Sequence, residues 1–101
     1  MNHSTILERS AGGRARRFAA LGDPARIEIL DRLGRGTRCV CELQGDLEMA
    51  PNLLSYHLRI LREAGLVSGE RRGRRIDYRL EPEGLAGLGA ALEALAGGVR
   101  P

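Results

Sequence analysis

The 101-residue sequence is poor in aromatic residues, with no tryptophan, one phenylalanine and two tyrosines. Its core must therefore be built from leucine, isoleucine, valine and alanine, a composition that favours helices. No apolar run approaches the roughly 18 residues of a membrane span, and the N-terminus lacks the apolar segment of a secretory signal. These absences, with a length that fits one domain, argue against a membrane protein, an exported protein and a large substrate-enclosing enzyme.

Cysteine is also scarce, and the two cysteines are Cys39 and Cys41, separated by one valine. Two cysteines are too few for a disulfide framework, and residues two apart rarely suit disulfide geometry. We therefore expect two free thiols in a protein of the reducing cytoplasm.

Lysine is absent, so all 16 basic residues are arginines, and they face 13 acidic residues for a net charge of +3. The segment 66–80 contains five arginines against Glu70 and Asp77, so this segment alone carries +3 and the rest of the chain is neutral. A basic patch concentrated in one short segment indicates a polyanionic partner.

Hydrophobic spacing and turn signals predict four helices in the first two thirds of the chain. The first helix is expected at about 5–21, and Asp23 and Pro24 are expected to cap and open the second. Thr37 is expected to cap a short third helix that ends at Gln44, before a tight turn at 45–49. The fourth helix is expected at 51–64, with Gly65 as its left-handed C-cap.

The last third predicts a hairpin and a fifth helix. A strand begins at 66–69, a glycine-centred loop follows at 71–75, and alternation of apolar and polar residues predicts the return strand at 76–80. A last helix is expected at about 82–96, with a frayed tail at 97–101. The order α-α-α-α-β-β-α is mainly α with a small β-hairpin, and we expect residues 1–101 to form a single winged helix-turn-helix domain.

A leucine stripe on the last helix is wider than one small domain needs. Its members recur at helical spacing: Leu85, Leu88, Leu92 and Leu95. Together with the first helix, this stripe predicts a twofold homodimer.

The sequence resembles the ArsR/SmtB metalloregulator family of bacterial repressors over roughly residues 18–80. The segments that carry the resemblance are Ala20-Leu21-Gly22-Asp23-Pro24-Ala25-Arg26, Ile29-Leu30, Cys39-Val40-Cys41-Glu42-Leu43, residues 54–67 (LSYHLRILREAGLV) and Tyr78-Arg79-Leu80. The resemblance implies a cytoplasmic bacterial repressor that binds double-stranded operator DNA, without a membrane or an organic cofactor.

The Cys-Val-Cys-acidic-Leu segment resembles the arsenic-sensing branch of that family. There it opens the first helix of the helix-turn-helix and binds trivalent arsenic or antimony, which implies arsenite or antimonite as inducer and Cys39 and Cys41 as its ligands. Gln44 stands where that branch often has a third cysteine. Ala50 and Leu53 also depart from the serine and the polar or basic residue common in the recognition helix.

Candidate DNA-binding residues follow from the helix pattern. The N-terminal part of a recognition helix meets base edges in the major groove. With the leucines of the fourth helix facing the core, four polar side chains project outward: Asn52, Ser55, Tyr56 and Arg59. The hairpin tip adds four residues suited to phosphate or minor-groove contact, of which we expect only some to touch DNA: Arg71, Arg72, Arg74 and Arg75.

Residues i and i+2 of a regular helix point about 200° apart. Cys39 and Cys41 can therefore reach one ion only if their turn is distorted or the helix begins after Cys39. Binding would then strain this helix and reposition the recognition helix. Other inputs stay open: cadmium, lead, zinc or nickel, thiol oxidation, a partner protein, or cysteines that only pack.

Three further hypotheses are less favoured. A small thiol reductase would place its cysteines beside a βαβ unit, and none is visible. A zinc site between the last helices lacks ligands, because 81–96 contains no histidine. His57 is expected to pack and hydrogen-bond rather than to bind metal.

Overall fold

The computed structural model describes residues 10–98, which form five helices and three short strands. In chain order they are α1 (Ala11–Ala20), α2 (Pro24–Leu33), β1 (Arg38–Cys39), α3 (Val40–Leu47), α4 (Pro51–Glu63), β2 (Val67–Arg72), β3 (Arg75–Leu80) and α5 (Pro82–Gly97). Within residues 10–98 no helix is both long and apolar enough to cross a membrane.

Two helix boundaries follow the local signals in the sequence. Asp23 is the N-cap of α2, and its carboxylate accepts the Ala25 N–H at 2.8 Å, with Pro24 in the first helical position. Gly65 follows α4 in the left-handed region at φ 74°. The Leu66 N–H donates to the Leu61 carbonyl, which closes the α4 C-terminus in the manner of a Schellman motif. Both predicted boundaries are confirmed.

The predicted start of the third helix is wrong. Thr37 does not cap it; Arg38 and Cys39 form β1, which the sequence prediction missed, and α3 begins at Val40. Cys39 is the N-cap: its sulfur accepts the Glu42 N–H at 3.3 Å, and Glu42 Oε1 accepts the Cys39 N–H at 3.0 Å. This reciprocal capping box satisfies two backbone donors, which explains the later start.

Two other boundaries also differ from the prediction. The predicted tight turn at 45–49 is instead the end of α3, which continues to Leu47 and is closed by Glu48 in the left-handed region at φ 49°. The first helix does not run unbroken over 5–21, because Ser10 is an extended N-cap whose hydroxyl accepts the Gly13 N–H at 2.9 Å. The predicted residues 5–9, and 99–101 of the tail, lie outside the described residues.

The three strands form one antiparallel sheet in the order β1-β3-β2, so β3 is the central strand. Cys39 of β1 pairs with Asp77 of β3, and Asp77 also pairs with Glu70 of β2. The hairpin of β2 and β3 is here called the wing. Its strand pairing reaches Arg72 and Arg75, so its turn has only two residues. The predicted loop at 71–75 is therefore too long, because three of its arginines lie in strands.

The core lies between α2, α3, α4 and the sheet. Its most deeply buried side chains come from every layer: Ile29, Leu43, Leu54, Leu58, Leu61, Leu66 and Val67. Tyr78 of β3 closes the wing side of this core, and its ring lies over Gly69, where a Cβ would stand 2.9 Å from the ring. The sheet is thereby anchored to the helices.

Helix α5 packs against α1 and against the turn after α4. A Cβ on Gly84 would collide with the Gly65 carbonyl oxygen, so this contact requires glycine. Farther along α5, Leu88 is buried within the chain, whereas Leu92 and Leu95 remain 55% and 69% exposed. The leucine stripe therefore divides into an inner half and an outer half.

Candidate nucleic-acid interface

An open groove of about 890 Å³ lies between α3, α4 and the wing. Its walls come from all three elements: Val40, Cys41 and Gln44 from α3, Asn52, Ser55, Tyr56, Leu58, Arg59 and Arg62 from α4, and Arg74, Arg75, Ile76 and Tyr78 from the wing. The groove is rich in arginine donors, and no acidic side chain is among these lining residues.

The two faces of α4 explain why its polar residues reach the groove. Leu54, Leu58 and Leu61 are buried and fix the helix on the core. The outward candidates line the groove together: Asn52, Ser55, Tyr56 and Arg59. Amide, hydroxyl and guanidinium groups on one helix face are the donors and acceptors that read base edges and hold phosphates.

The four arginines of the wing tip fall into two pairs. Arg74 and Arg75 line the groove, whereas Arg71 and Arg72 do not. Asp77 contacts Arg72 Nε at 3.2 Å and Arg75 Nε at 3.3 Å. Neither Arg71 nor Arg74 forms an ion pair with any other residue between 10 and 98. The wing tip therefore combines two arginines held by a carboxylate with two unpaired ones.

Cys39 and Cys41 are joined by a disulfide, so the expectation that residues two apart do not suit one is wrong for this segment. Cys39 is not helical: it has extended dihedral angles (φ −77°, ψ 160°), and its Cα lies 5.3 Å from that of Cys41. Because α3 begins after Cys39, the two sulfurs converge instead of diverging by the 200° of a regular helix. Cys39 is 4% exposed, whereas Cys41 is exposed and lines the groove.

His57 lies on the buried side of α4 and is 5% exposed. Its Nδ1 accepts a hydrogen bond from Arg26 Nη1 at 3.1 Å, and its ring meets that of Tyr56 edge to face, with centroids 5.2 Å apart. His57 therefore packs and hydrogen-bonds, as the sequence predicted.

Among the groove residues that the sequence analysis did not assign to DNA binding are Arg62 and Tyr78. Arg62 lies three residues after Arg59 and seven after Ser55, so helical spacing alone could have assigned it to this face. Tyr78 of β3 is 6% exposed and packs on the core, and only the packing of the wing brings it to the groove.

Few side chains of the types that bind metal ions lie around the two cysteines. Residues 10–98 contain no cluster of three or more histidine, cysteine, aspartate and glutamate side chains that could hold an ion. In the reduced form the thiol pair offers two soft ligands, and Gln44 lines the groove beside Cys41. The two sulfurs fit a thiophilic ion, and its remaining ligands would be Gln44 or groups from solvent or a second chain.

The helix-turn-helix of α3 and α4, followed by an antiparallel wing, defines a winged helix-turn-helix protein. Residues 23–68 match the family model described as bacterial regulatory protein, arsR family. The chain belongs to the ArsR/SmtB family, as the sequence motifs indicated.

Relatives of known name support this assignment. The chain is 42% identical over 73 residues to the arsenical resistance operon repressor of Bacillus subtilis, covering 71% of this chain and 70% of that protein. It is 46% identical over 77 residues to the HTH-type transcriptional repressor SmtB of Mycobacterium tuberculosis, covering 76% of this chain but 56% of the repressor. The chain thus spans little more than half the length of that relative. Both relatives are named as transcriptional repressors and not as enzymes.

A solved structure shares the architecture. The homodimeric winged helix-turn-helix DNA-binding domain of a possible ArsR-family transcriptional regulator from Mycobacterium bovis superposes with a TM-score of 0.70. It is 34% identical, and the match covers 83% of this chain and 78% of that one.

Proposed function

We propose that the chain is a cytoplasmic, homodimeric transcriptional repressor that binds palindromic operator DNA and is released when trivalent arsenic or antimony binds Cys39 and Cys41. The observation that carries the proposal is the position of Cys41. It lines the same groove as the outward face of α4 and the wing arginines. A ligand on the thiol pair would therefore act at the DNA surface itself.

DNA binding is supported by the chemistry of the groove. In the proposed complex α4 enters the major groove, where Asn52 and Arg59 read base edges while Ser55 and Tyr56 donate to phosphates or bases. Arginines of the wing lie along the backbone or minor groove. The relatives in Bacillus subtilis and Mycobacterium tuberculosis are repressors, and this proposal extends their activity to the present chain.

A homodimer is supported by the outer half of the leucine stripe. Leu92 and Leu95 are exposed on α5, next to the helix α1 against which α5 packs. Burial of these side chains against a second copy would stabilise a twofold dimer. The homodimeric solution structure from Mycobacterium bovis provides a precedent.

Release by arsenite or antimonite is supported by the converging sulfurs of the thiol pair. Two thiolates suit a soft trivalent ion, and the reducing cytoplasm would supply the dithiol form. Since Cys39 is also the N-cap of α3, a ligand on its sulfur would compete with the Glu42 N–H. The start of α3, and with it the setting of α4, would change, and linkage requires that DNA weaken ligand binding by the same factor.

A second candidate keeps the repressor but changes the input to thiol oxidation. The disulfide between Cys39 and Cys41 favours it. Two thiols would lose two electrons and two protons to a peroxide: hydrogen peroxide is reduced to two waters, and an organic hydroperoxide to one alcohol and one water. The remaining inputs, namely cadmium, lead, zinc, nickel or a partner protein, become arms of the same experiment.

The test is fluorescence anisotropy with a duplex carrying the inverted repeat of the chain's own promoter. The reduced protein is titrated anaerobically with arsenite, antimonite, cadmium, lead, zinc and nickel, and separately with hydrogen peroxide. The proposal expects release by arsenite or antimonite that is lost in Cys39→Ser and in Cys41→Ser. Both variants should retain the affinity of the reduced wild-type protein for DNA.

The other outcomes separate the candidates. Release by peroxide alone supports the oxidation candidate, and release by another ion reassigns the inducer. Release that persists in both serine variants overturns a role for the thiol pair. If no added reagent releases the DNA, the arsenical proposal fails and a partner protein remains.

A further inference from the structure

We propose that Asp77 is the positioning residue of the wing: its carboxylate holds the guanidinium groups of Arg72 and Arg75 in the orientation that binds operator DNA specifically. The inference rests on the proposed function, because DNA is taken as the acceptor for both arginines. Charge alone predicts the opposite of this role, since a carboxylate inside a basic hairpin repels phosphates. Removal of its charge alone would therefore strengthen DNA binding, whereas loss of a positioning role would weaken it.

The carboxylate of Asp77 serves both ends of the turn at once. Oδ2 lies 3.2 Å from Arg72 Nε and Oδ1 lies 3.3 Å from Arg75 Nε. Arg72 ends β2, Arg75 begins β3, and the two residues pair directly across the hairpin. One side chain thus fixes the direction of both arginines that flank the two-residue turn.

Both contacts are made through Nε. A guanidinium has five N–H donors, so the terminal Nη groups of Arg75 remain available to an acceptor in the groove that this residue lines. Arg72 Nη2 makes one further contact, at 3.4 Å to the exposed carboxylate of Glu70. A held guanidinium loses less conformational freedom when it binds a phosphate or a base edge than an unheld one does.

The position of Asp77 is itself well fixed. Its side chain is 11% exposed, whereas those of Arg72 and Arg75 are about 60% exposed. Its strand is the central one, paired at this residue with Cys39 on one side and with Glu70 on the other. A nearly buried carboxylate on a backbone held from both sides is a rigid anchor for two exposed side chains.

Glu70 provides a matched control. It carries the same charge in the same hairpin and also contacts Arg72, but its side chain is 66% exposed and reaches one arginine only. Asp77→Asn and Glu70→Gln each remove one negative charge. Charge alone therefore predicts the same effect for both variants, and positioning predicts opposite effects.

Two DNA probes separate these effects by fluorescence anisotropy. One is the duplex that the wild-type protein enriches most strongly from a random-sequence library, and the other is a scrambled duplex of equal composition. Glu70→Gln should bind both duplexes more tightly, with a log–log salt dependence steeper by about 0.9. Asp77→Asn should match it on the scrambled duplex but bind the selected duplex at least about fivefold more weakly than the wild-type protein does.

Two further variants keep the proposal testable if Asp77→Asn folds poorly, as a melting curve would reveal. Asp77→Glu retains the charge but displaces the carboxylate by one methylene, so it should lose affinity for the selected duplex and not for the scrambled one. The second variant carries Arg75→Gln. When Asp77→Asn is added to it, the loss of affinity for the selected duplex should be smaller than in the wild-type background, because the two residues act through one contact.

Asp77→Asn that gains affinity for both duplexes, as Glu70→Gln does, overturns the positioning role and leaves the proposed function intact. A wild-type protein that enriches no sequence overturns the proposed function, and the inference with it.

Discussion

Cys39 of β1 lies directly opposite Asp77 of β3, so the thiol pair and the carboxylate that contacts two wing arginines meet at one antiparallel pairing. A change in the state of the thiols therefore has a route to the wing that does not pass through α4. Such a route is physical only if altering it changes the coupling between the two sites.

That coupling can be measured as the ratio of DNA affinities of the dithiol and disulfide forms. We expect Asp77→Asn to bring this ratio at least about threefold closer to one than it is in wild type, a modest fraction of a typical coupling. Glu70→Gln should leave the ratio unchanged. Equal ratios in all three proteins would show that the thiols act through α3 and α4 alone.

Cys39 caps α3 as well as belonging to the thiol pair, and two substitutions separate these roles. Serine retains a side-chain acceptor for the Glu42 N–H, whereas alanine does not. We expect Cys39→Ala to lower the free energy of unfolding by about 1 kcal/mol more than Cys39→Ser under reducing conditions. Urea denaturation measures the difference, and Cys41→Ala against Cys41→Ser is the control, since Cys41 caps nothing.

Arg26 ties α2 to α1 and to α4. Its Nε donates to the Ala20 carbonyl at 2.7 Å at the end of α1, and Nη1 donates to His57 of α4. Arg26→Met should lower the free energy of unfolding by about 2 kcal/mol, because hydrogen bonds from a charged group are lost and a buried acceptor is left unpaired. Arg35→Met, at an exposed position, should change it by less than about 0.5 kcal/mol. Comparable losses in the two variants would contradict the bridging role.

Gly84 and Gly89 lie on the same helix and should respond to alanine with opposite signs. A Cβ at Gly84 meets the Gly65 carbonyl oxygen, whereas a Cβ at Gly89 has nothing within 4 Å. Gly84→Ala should therefore destabilise the protein by about 1–3 kcal/mol through overpacking. Gly89→Ala should stabilise it by up to about 1 kcal/mol through helix propensity. Thermal and urea unfolding at one protein concentration test both, and stabilisation by Gly84→Ala would refute the close approach.

The exposed end of the leucine stripe tests the dimer. Replacing Leu92 and Leu95 together with glutamate should convert the dimer to monomer in sedimentation experiments at micromolar concentration, because burial of charge opposes association. Affinity for a two-half-site duplex should fall with it. Ile27→Glu alters another exposed apolar residue, on α2, and should leave the sedimentation unchanged. A double variant that remains dimeric would move the interface elsewhere.

Local signals in the sequence accounted for the helices whose ends they determine. Asp23 with Pro24, and Gly65 after α4, act through contacts within a few residues, so their roles could be predicted. The start of α3 was not predicted because cysteine is an unusual N-cap residue, although its capping partner Glu42 lies only three residues away. The strand β1 could not be predicted from local signals, because it pairs Cys39 with Asp77, 38 positions farther along the chain. The disulfide was not expected because its geometry depends on Cys39 being extended rather than helical.

The candidate interface divides in a similar way. The polar face of α4 was predictable from helical spacing, and Arg62 would have been found by the same count. The division of the wing arginines into held and unpaired members was not, because it depends on which side of β3 bears the Asp77 carboxylate.

The order of the sheet also bears on synthesis of the chain at the ribosome. A nascent chain that ends at Gly65 contains every residue of the helix-turn-helix, yet β1 then lacks the strand with which it pairs, β3. Cys39 can therefore form its strand pairing with β3 only after residue 80 has emerged from the ribosome. Until then its thiol is not held in the finished fold, so a newly made molecule gains its ordered cysteine pair and its wing in the same late step.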